Sequence, residues 1–226
     1  PATTPNLQGN PNLRPEVAWG IDLAFEHALP RKAGSLNVSA TARRIRDVTL
    51  DQVTLDQGAW VSSKANAGSA RVFGLELQSR LHLQAAWPAA PDMDLRGSVS
   101  RNWSAVAQVP GPDNRLDSQI PLSANLGLDW RLARHAVTAG ASLAYRGSAH
   151  ARSSLTRTTA SNAVTTLDLY LLWKLSPRAQ WRLALANALG PNERSTDTHS
   201  DADGRFWQST DEPTAPTLRV GIEWTL

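Results

Sequence analysis

Apolar residues recur at every second position along most of this chain of 226 residues. The pattern is clearest at the end of the chain, where one face would carry Leu218, Val220, Ile222, Trp224 and Leu226. The residues between them are polar or glycine. Successive side chains of a β-strand point to opposite faces, so this period predicts strands with one apolar and one polar face. The sequence therefore predicts an all-β fold.

The alternation identifies nine strand candidates and sets the lengths of the connections between them. The candidates are residues 17–29, 35–49, 70–84, 92–106, 120–133, 135–147, 163–176, 179–189 and 216–226. Connections of 5, 7, 1 and 2 residues alternate with connections of 20, 13, 15 and 26 residues. Transmembrane barrels have short periplasmic turns and long outer loops, whereas a soluble sandwich has no physical reason to keep this rhythm. The rhythm predicts an antiparallel up-and-down transmembrane β-barrel.

The composition is compatible with a membrane barrel and excludes several other classes. No apolar run approaches the roughly 20 residues that a spanning helix needs. A spanning strand is apolar only at alternate positions, so a mean hydropathy of −0.34 is no objection. The net charge of +3 is spread along the chain, which predicts no nucleic-acid partner. The absence of cysteine excludes thiol catalysis and thiolate metal sites.

The chain has nine tryptophans, and their positions follow the strand ends. Those near the short-turn ends are Trp130, Trp173, Trp181 and Trp224, and those near the long-loop ends are Trp19 and Trp103. Such a placement predicts a membrane girdle, in which aromatic rings lie at the lipid headgroups, rather than rings that fill a core. Trp60 and Trp207 lie in long connections. They are weak candidates for ligand contact, and packing within the loops is the alternative.

The sequence shows no group of residues that predicts catalysis. The histidines are scattered without ligand-type spacing, and neither a Gly-x-Ser-x-Gly element nor a glycine-rich phosphate loop is present. We therefore expect no enzymatic activity, no cofactor and no metal site.

Three short stretches carry a recognisable pattern. Residues 10–16 read Asn-Pro-Asn-Leu-Arg-Pro-Glu and lead directly into an alternating strand, residues 74–77 read Gly-Leu-Glu-Leu, and residues 183–190 read Leu-Ala-Leu-Ala-Asn-Ala-Leu-Gly. Together they resemble the C-terminal half of the barrel of TonB-dependent outer-membrane receptors, and residues 183–190 are similar to the penultimate strand of that family. The chain departs from the family pattern at Ala188 and Gly190. It also closes on Leu226, where the family usually has an aromatic residue.

The resemblance implies a barrel of 22 strands that holds a plug domain in its lumen. Nine strands are fewer than half of such a wall, and an odd number does not close an ordinary bacterial barrel. We therefore expect an incomplete wall of about nine strands. Residues 1–16 would end an extracellular loop, and residues 17–226 would be the C-terminal segment of the barrel domain, with the plug and earlier strands absent.

The resemblance also implies a function and a location. The whole protein would be a TonB-dependent transporter in the outer membrane of a Gram-negative bacterium, importing a scarce solute, most simply a ferric siderophore for iron uptake. Its partners would be the TonB complex, reached through the plug, outer-membrane lipid, the barrel assembly machinery and a small-molecule or metal-chelate ligand. The residues of the last strand, from Leu218 to Leu226, would form the insertion signal. A passive outer-membrane pore or adhesin without a plug, and a soluble binding sandwich, remain alternatives.

Overall fold

The structure, a computed structural model, describes residues 5–117, 119–200, 202 and 204–224. Its strands, in chain order, are β1 (Asn6–Gln8), β2 (Val17–Leu29), β3 (Gly34–Arg46), β4 (Thr49–Asp56), β5 (Ala59–Asn66), β6 (Ser69–His82), β7 (Met93–Val106), β8 (Leu122–Leu132), β9 (Val137–Arg146), β10 (Ala149–Arg152), β11 (Arg157–Ser161), β12 (Val164–Ser176), β13 (Ala179–Ala186), β14 (Asn192–Ser200), β15 (Arg205–Pro213) and β16 (Thr217–Trp224). One helical turn, α1 (Leu83–Ala86), and two 3₁₀ turns, Pro30–Lys32 and Ala133–His135, lie in short connections. Within the described ranges, no helix has the length and apolar character needed to cross a membrane.

The largest sheet is an antiparallel meander of nine strands. Their order is β2-β3-β6-β7-β8-β9-β12-β13-β16, so each strand pairs with the next one of this sheet along the chain. These nine strands correspond to the nine candidates read from the sequence, with ends that differ by up to three residues. Among the described residues, β2 and β16 each pair with one strand only, and the sheet is not closed. The predicted all-β, up-and-down architecture is confirmed.

The strand register keeps the apolar residues on one face of this sheet. Leu23 pairs with Ala40, which pairs in turn with Leu75, and Trp173 pairs with Trp181 at the other side of the sheet. Partners across an antiparallel ladder point to the same face, so the apolar face is continuous from β2 to β16. It is also exposed, since even Leu23 is 66% accessible. An uncovered apolar face of this extent is expected to contact lipid.

The opposite face is polar along most of its length, but it carries an apolar cluster at the long-connection end. The buried members are Val48, Leu50, Ala70, Val106 and Val109, with Ile45, Ala67 and Leu116 packed against them. They come from the ends of β3, β6 and β7 and from the connections that follow them. This cluster holds the first two long connections against the sheet, because burying each of its valine and leucine side chains stabilises by about 1.5–3 kcal/mol.

The long connections contain strands that were expected to be polar loops. β4 and β5 form a hairpin with β1 added in parallel, and β10, β11, β14 and β15 form a four-stranded sheet from two connections. These strands carry few apolar residues and no sustained alternation of apolar and polar residues, which is the pattern on which strand recognition depends. The hairpin turns at Gln57 and Gly58, whose φ values of 47° and 80° suit a two-residue turn. Gly58 was the one local sequence signal for this turn.

Candidate functional site

The polar face of the large sheet lines a groove of about 870 Å³. Residues from eight strands, β2 to β13, contribute to its wall, which shows that the sheet curves around it. The side chains that reach the groove include carboxylates, guanidinium groups, amides and hydroxyls, namely Glu26, Asn37, Gln78, Arg80, Arg96, Asn125, Asp129, Ser142, Asp168 and Tyr170. Such a surface carries both signs of charge and can solvate a polar solute.

A charge-assisted network crosses the middle of the groove. Arg96 on β7 donates a hydrogen bond to Asp129 on β8, and the Tyr170 hydroxyl on β12 donates to the same carboxylate. The ring of Tyr170 reaches Asp129 across β9 because Gly140 has no side chain there. A Cβ at Gly140 would lie 2.2 Å from Cε1 of Tyr170. The network therefore joins three strands through a gap that only glycine leaves open.

A second network lies at the short-turn end of the same face. Nδ1 of His82 is 2.5 Å from Oδ1 of Asp94, and Arg131 donates to both Asp94 and Asp92. The ion pairs connect β6, β7 and β8, so cross-strand pairing accounts for several of the lumen charges. The same arrangement joins β13 to the final strand, where Arg182 and Gln180 both donate to Glu223.

The long connections meet above the sheet, and Arg157 lies at their junction. Nε of Arg157 donates to both carboxylate oxygens of Asp197 at 3.0 and 3.1 Å, and Nη2 donates to Oδ2 at 2.5 Å. Nη1 lies 3.5 Å from a carboxylate oxygen of Asp51 on the β4–β5 hairpin. The side chain of Arg157 is 12% exposed. Arg157 therefore ties the hairpin of the first long connection to the sheet formed by the third and fourth.

The surroundings of Arg157 favour the charged form of its guanidinium group. Hydrogen bonding to Asp197 raises the pKa of the Arg157 guanidinium above its usual value, and this effect outweighs the opposing effect of burial. A raised pKa on a basic group keeps the guanidinium of Arg157 charged at every pH below its ordinary pKa. The contact is therefore insensitive to pH across the physiological range. Thr159 extends it by donating a hydrogen bond to Asp117 in the second long connection at 2.9 Å.

The two tryptophans predicted as weak ligand candidates occupy different positions in this layer. Trp60 on β5 packs edge-on against His199 on β14, with ring centroids 4.8 Å apart. That contact helps to join the two loop sheets and supports the alternative of packing within the loops. Trp207 on β15 is 62% exposed and pairs with Thr198 across the ladder. Of the two, Trp207 is the ring available to a solute.

The six tryptophans predicted as a girdle all lie on the apolar face. Those toward the short turns are Trp130, Trp173, Trp181 and Trp224, and those toward the long connections are Trp19 and Trp103. Each of them is exposed. Their contact with lipid headgroups stays a prediction. Trp87, in the short connection after α1, is also exposed and was not among the predicted residues.

The last strand places its predicted insertion residues on one side. Leu218, Val220 and Ile222 pair with residues of β13 on the apolar face, and Trp224 pairs with Ala179. Leu226 lies outside the described residues. The role of this strand in insertion stays a prediction.

Sequence reasoning missed Arg157, Asp197 and the Arg96–Asp129–Tyr170 network. Their partners are between 33 and 41 residues apart along the chain, so no local spacing indicates them. Within the described ranges, no three His, Cys, Asp or Glu side chains lie together in an arrangement that could hold a metal ion.

Comparison with known proteins gives a family match and a set of structural neighbours. The family described as "TonB dependent receptor-like, beta-barrel" matches residues 1–188. Comparison with curated protein sequences finds no significant relative.

Solved structures of outer-membrane transporters share the fold. The FrpB iron transporter from Neisseria meningitidis has a TM-score of 0.60 at 15% identity, over 97% of this chain and 32% of its own. The copper transporter OprC has a TM-score of 0.66 at 14% identity, over 97% of this chain and 34% of its own. A variant of the ferric enterobactin receptor PfeA from Pseudomonas aeruginosa has a TM-score of 0.62 at 14% identity, over 96% of this chain and 32% of its own. The chain thus spans about a third of the length of these structures.

Proposed function

The chain belongs to the TonB-dependent receptors, and from that premise we propose that it forms the C-terminal part of the barrel of an energy-coupled importer. Members of this family are outer-membrane proteins of Gram-negative bacteria, and the chain is located there. In the proposed protein, residues 1–16 end an extracellular loop and residues 17–226 supply barrel wall and loops. A plug domain and further strands would complete the barrel.

The observation that carries the proposal is the relation between the loop layer and the groove. All long connections leave the sheet at one end, and the contacts of Arg157 with Asp51 and Asp197 hold three of them together there. The polar groove lies on the inner face of the same sheet. A solute that is bound by the loops would therefore meet a wall of mixed charge on its way inward.

We propose a ferric siderophore as the solute. Two of the similar structures are described as an iron transporter and a ferric enterobactin receptor, while a third is described as a copper transporter. Exposed Trp207 could stack on the flat, conjugated parts of a metal chelate. The charges of the groove, which include both carboxylates and guanidinium groups, suit a polar ligand without requiring one sign of charge.

The proposed partners follow from the same function. The TonB complex would act through the plug, lipid would cover the apolar face, and the barrel assembly machinery would receive the last strand. No catalytic step is part of this function.

Uptake by living cells tests the proposal. The gene that encodes the chain is deleted, and cells starved of iron are given a panel of ⁵⁵Fe-labelled siderophores, each with and without a proton uncoupler. We expect the deletion to abolish energy-dependent uptake of one siderophore, and the intact gene to restore it. Uptake that depends on the gene but is insensitive to the uncoupler would instead identify a passive pore. Uptake that is unchanged for every chelate, with cell attachment lost, would identify an adhesin.

A further inference from the structure

Four arginines lie on the apolar face of the large sheet. The register places Arg44 opposite Trp19 and Arg46 opposite Val17, while Arg71 pairs with Arg44. Arg101 pairs with Leu75 on the same face. These positions belong to the lipid-facing side, where a charge at the bilayer midplane would cost about 2–4 kcal/mol and a charge near the interface about 0–1 kcal/mol. Four arginines on such a face therefore require local stabilisation.

Their position along the strands lowers the cost of these charges. Arg44, Arg46 and Arg71 lie within three residues of the ends of β3 and β6, at the end from which the long connections leave. This is the level of Trp19 and Trp103, the tryptophans that face the outer leaflet in the predicted girdle. The guanidinium carbon of Arg101 lies 5.7 Å from the centre of the Trp103 ring. Its side chain therefore extends toward the same end, as a long basic side chain does when it reaches for the membrane surface.

The arginines of this face repel one another, and a negatively charged partner would stabilise them. Arg44 and Arg71 are direct cross-strand neighbours, with Cα atoms about 4.5–5.5 Å apart in such a pair, and like charges at this spacing destabilise a sheet. Among the described residues, none of the four arginines forms an ion pair with an acid. The carboxylates that adjoin Arg46 and its ladder partner Val17 along the chain have other partners: Asp47 pairs with Arg14 at 2.7 Å, and Glu16 accepts a hydrogen bond from the backbone of Thr49 at 2.5 Å. Arg44, Arg46 and Arg71 thus occupy neighbouring positions of the register on a lipid-facing surface, and none of them has an acidic partner among the described residues.

We propose that Arg44, Arg46 and Arg71 form a binding site for a phosphorylated lipid headgroup of the outer leaflet. Guanidinium groups form paired hydrogen bonds with phosphate oxygens, and basic clusters at the membrane surface bind anionic headgroups. The acyl chains of the bound lipid would lie along the apolar face below, over Ala42 and Phe73, which occupy the next row of the register. The proposed site depends on the outer-membrane location of the chain and not on transport. Its test is therefore independent of the test of the proposed substrate.

Binding measurements on the native receptor in mild detergent test the site. Phosphatidic acid, which carries a phosphomonoester, is titrated against the protein with phosphatidylcholine as the lipid without net charge, and bound lipid is counted by native mass spectrometry. We expect the triple variant R44Q/R46Q/R71Q to lose about tenfold or more in affinity for phosphatidic acid. The matched control R31Q/R134Q/R178Q removes three exposed arginines from the short turns. Its affinity for phosphatidic acid should stay within about twofold of that of the unaltered protein. Equal affinity of the triple variant and the control would overturn the proposal.

Two more measurements distinguish a lipid site from a free-anion site and from a purely structural role of the arginines. Inorganic phosphate at millimolar concentration should leave bound phosphatidic acid in place, and its displacement would indicate a free-anion site and overturn the lipid assignment. The single variant R71Q removes one member of the like-charged pair. It should raise the unfolding temperature in phosphatidylcholine and lower it in phosphatidic acid. A change of the same sign in both lipids would indicate a structural role alone and would also overturn the proposal.

Discussion

At the scale of single residues, Arg157 shows how burial determines the contribution of an ion pair to stability. We expect Arg157→Met to loosen the loop layer by about 1–3 kcal/mol, because Asp197 loses a charged hydrogen-bond partner. Arg194→Met is the matched control, since Arg194 also pairs with an aspartate of the four-stranded loop sheet, Asp211, at 2.8 Å. The side chain of Arg194 is 62% exposed and its pair is screened by water, so Arg194→Met should have a much smaller effect than Arg157→Met. Hydrogen exchange of residues 157–161 measures the difference, and equal exchange in the two variants would contradict it.

Gly140 makes a second prediction at this scale. Gly140→Ala should destabilise the barrel by about 1–3 kcal/mol, because the new methyl group displaces the Tyr170 ring and breaks its hydrogen bond to Asp129. Gly221→Ala, on the polar face of β16, meets no atom within 4 Å and should have little effect. Denaturation in lipid vesicles compares the two. In a Tyr170→Ala background the cost of Gly140→Ala should fall but not vanish, because the Cβ would still lie 2.8 Å from the backbone oxygen of Leu128, and an unchanged cost would show that the ring is not the obstacle.

At the scale of elements, the alternation of faces predicts opposite tolerance at neighbouring positions of one strand. Leu171 and Leu172 are adjacent in the middle of β12, and Leu171 lies on the apolar face while Leu172 lies on the polar face beside Arg182. Leu171→Arg should cost about 2–4 kcal/mol in a bilayer, whereas Leu172→Arg should cost much less. Guanidinium titration of the protein in vesicles, followed by tryptophan fluorescence, gives both values. Equal costs would mean that the apolar face does not contact lipid.

The elements also show what the sequence could and could not predict. The nine strands of the large sheet were predictable because apolar and polar residues alternate along them, as a wall with one lipid-facing side would require. β14 and β15 were not predicted, because a hairpin in a long connection need not alternate apolar and polar residues. Its pairing rests on ladder hydrogen bonds and on contacts such as Arg194–Asp211 that no local spacing indicates. The same reasoning separates the site residues. The tryptophans at strand ends follow from the period, whereas Arg157 and Asp197 are brought together only by the folding of long connections.

At the scale of the whole molecule, the two edge strands determine whether the chain can stand alone. β2 and β16 each pair with a single strand among the described residues, which leaves two rows of backbone groups without partners from this sheet. In a bilayer an unpaired backbone group costs several kcal/mol, so an open sheet is not a viable spanning structure. Both edges must therefore be paired, either by further strands of the same protein or by another copy.

The proposed place of the chain in a larger barrel follows from this requirement and can be tested directly. The 226-residue chain, refolded alone into vesicles, should give aggregates or edge-paired oligomers. The receptor that contains it should give a monomer that keeps a faster, heat-sensitive mobility in detergent gels. Size measurement by light scattering, together with digestion by external protease, distinguishes these states. A protected, heat-modifiable monomer formed by the chain alone would contradict the proposal, because nine strands would then have closed without the remaining wall.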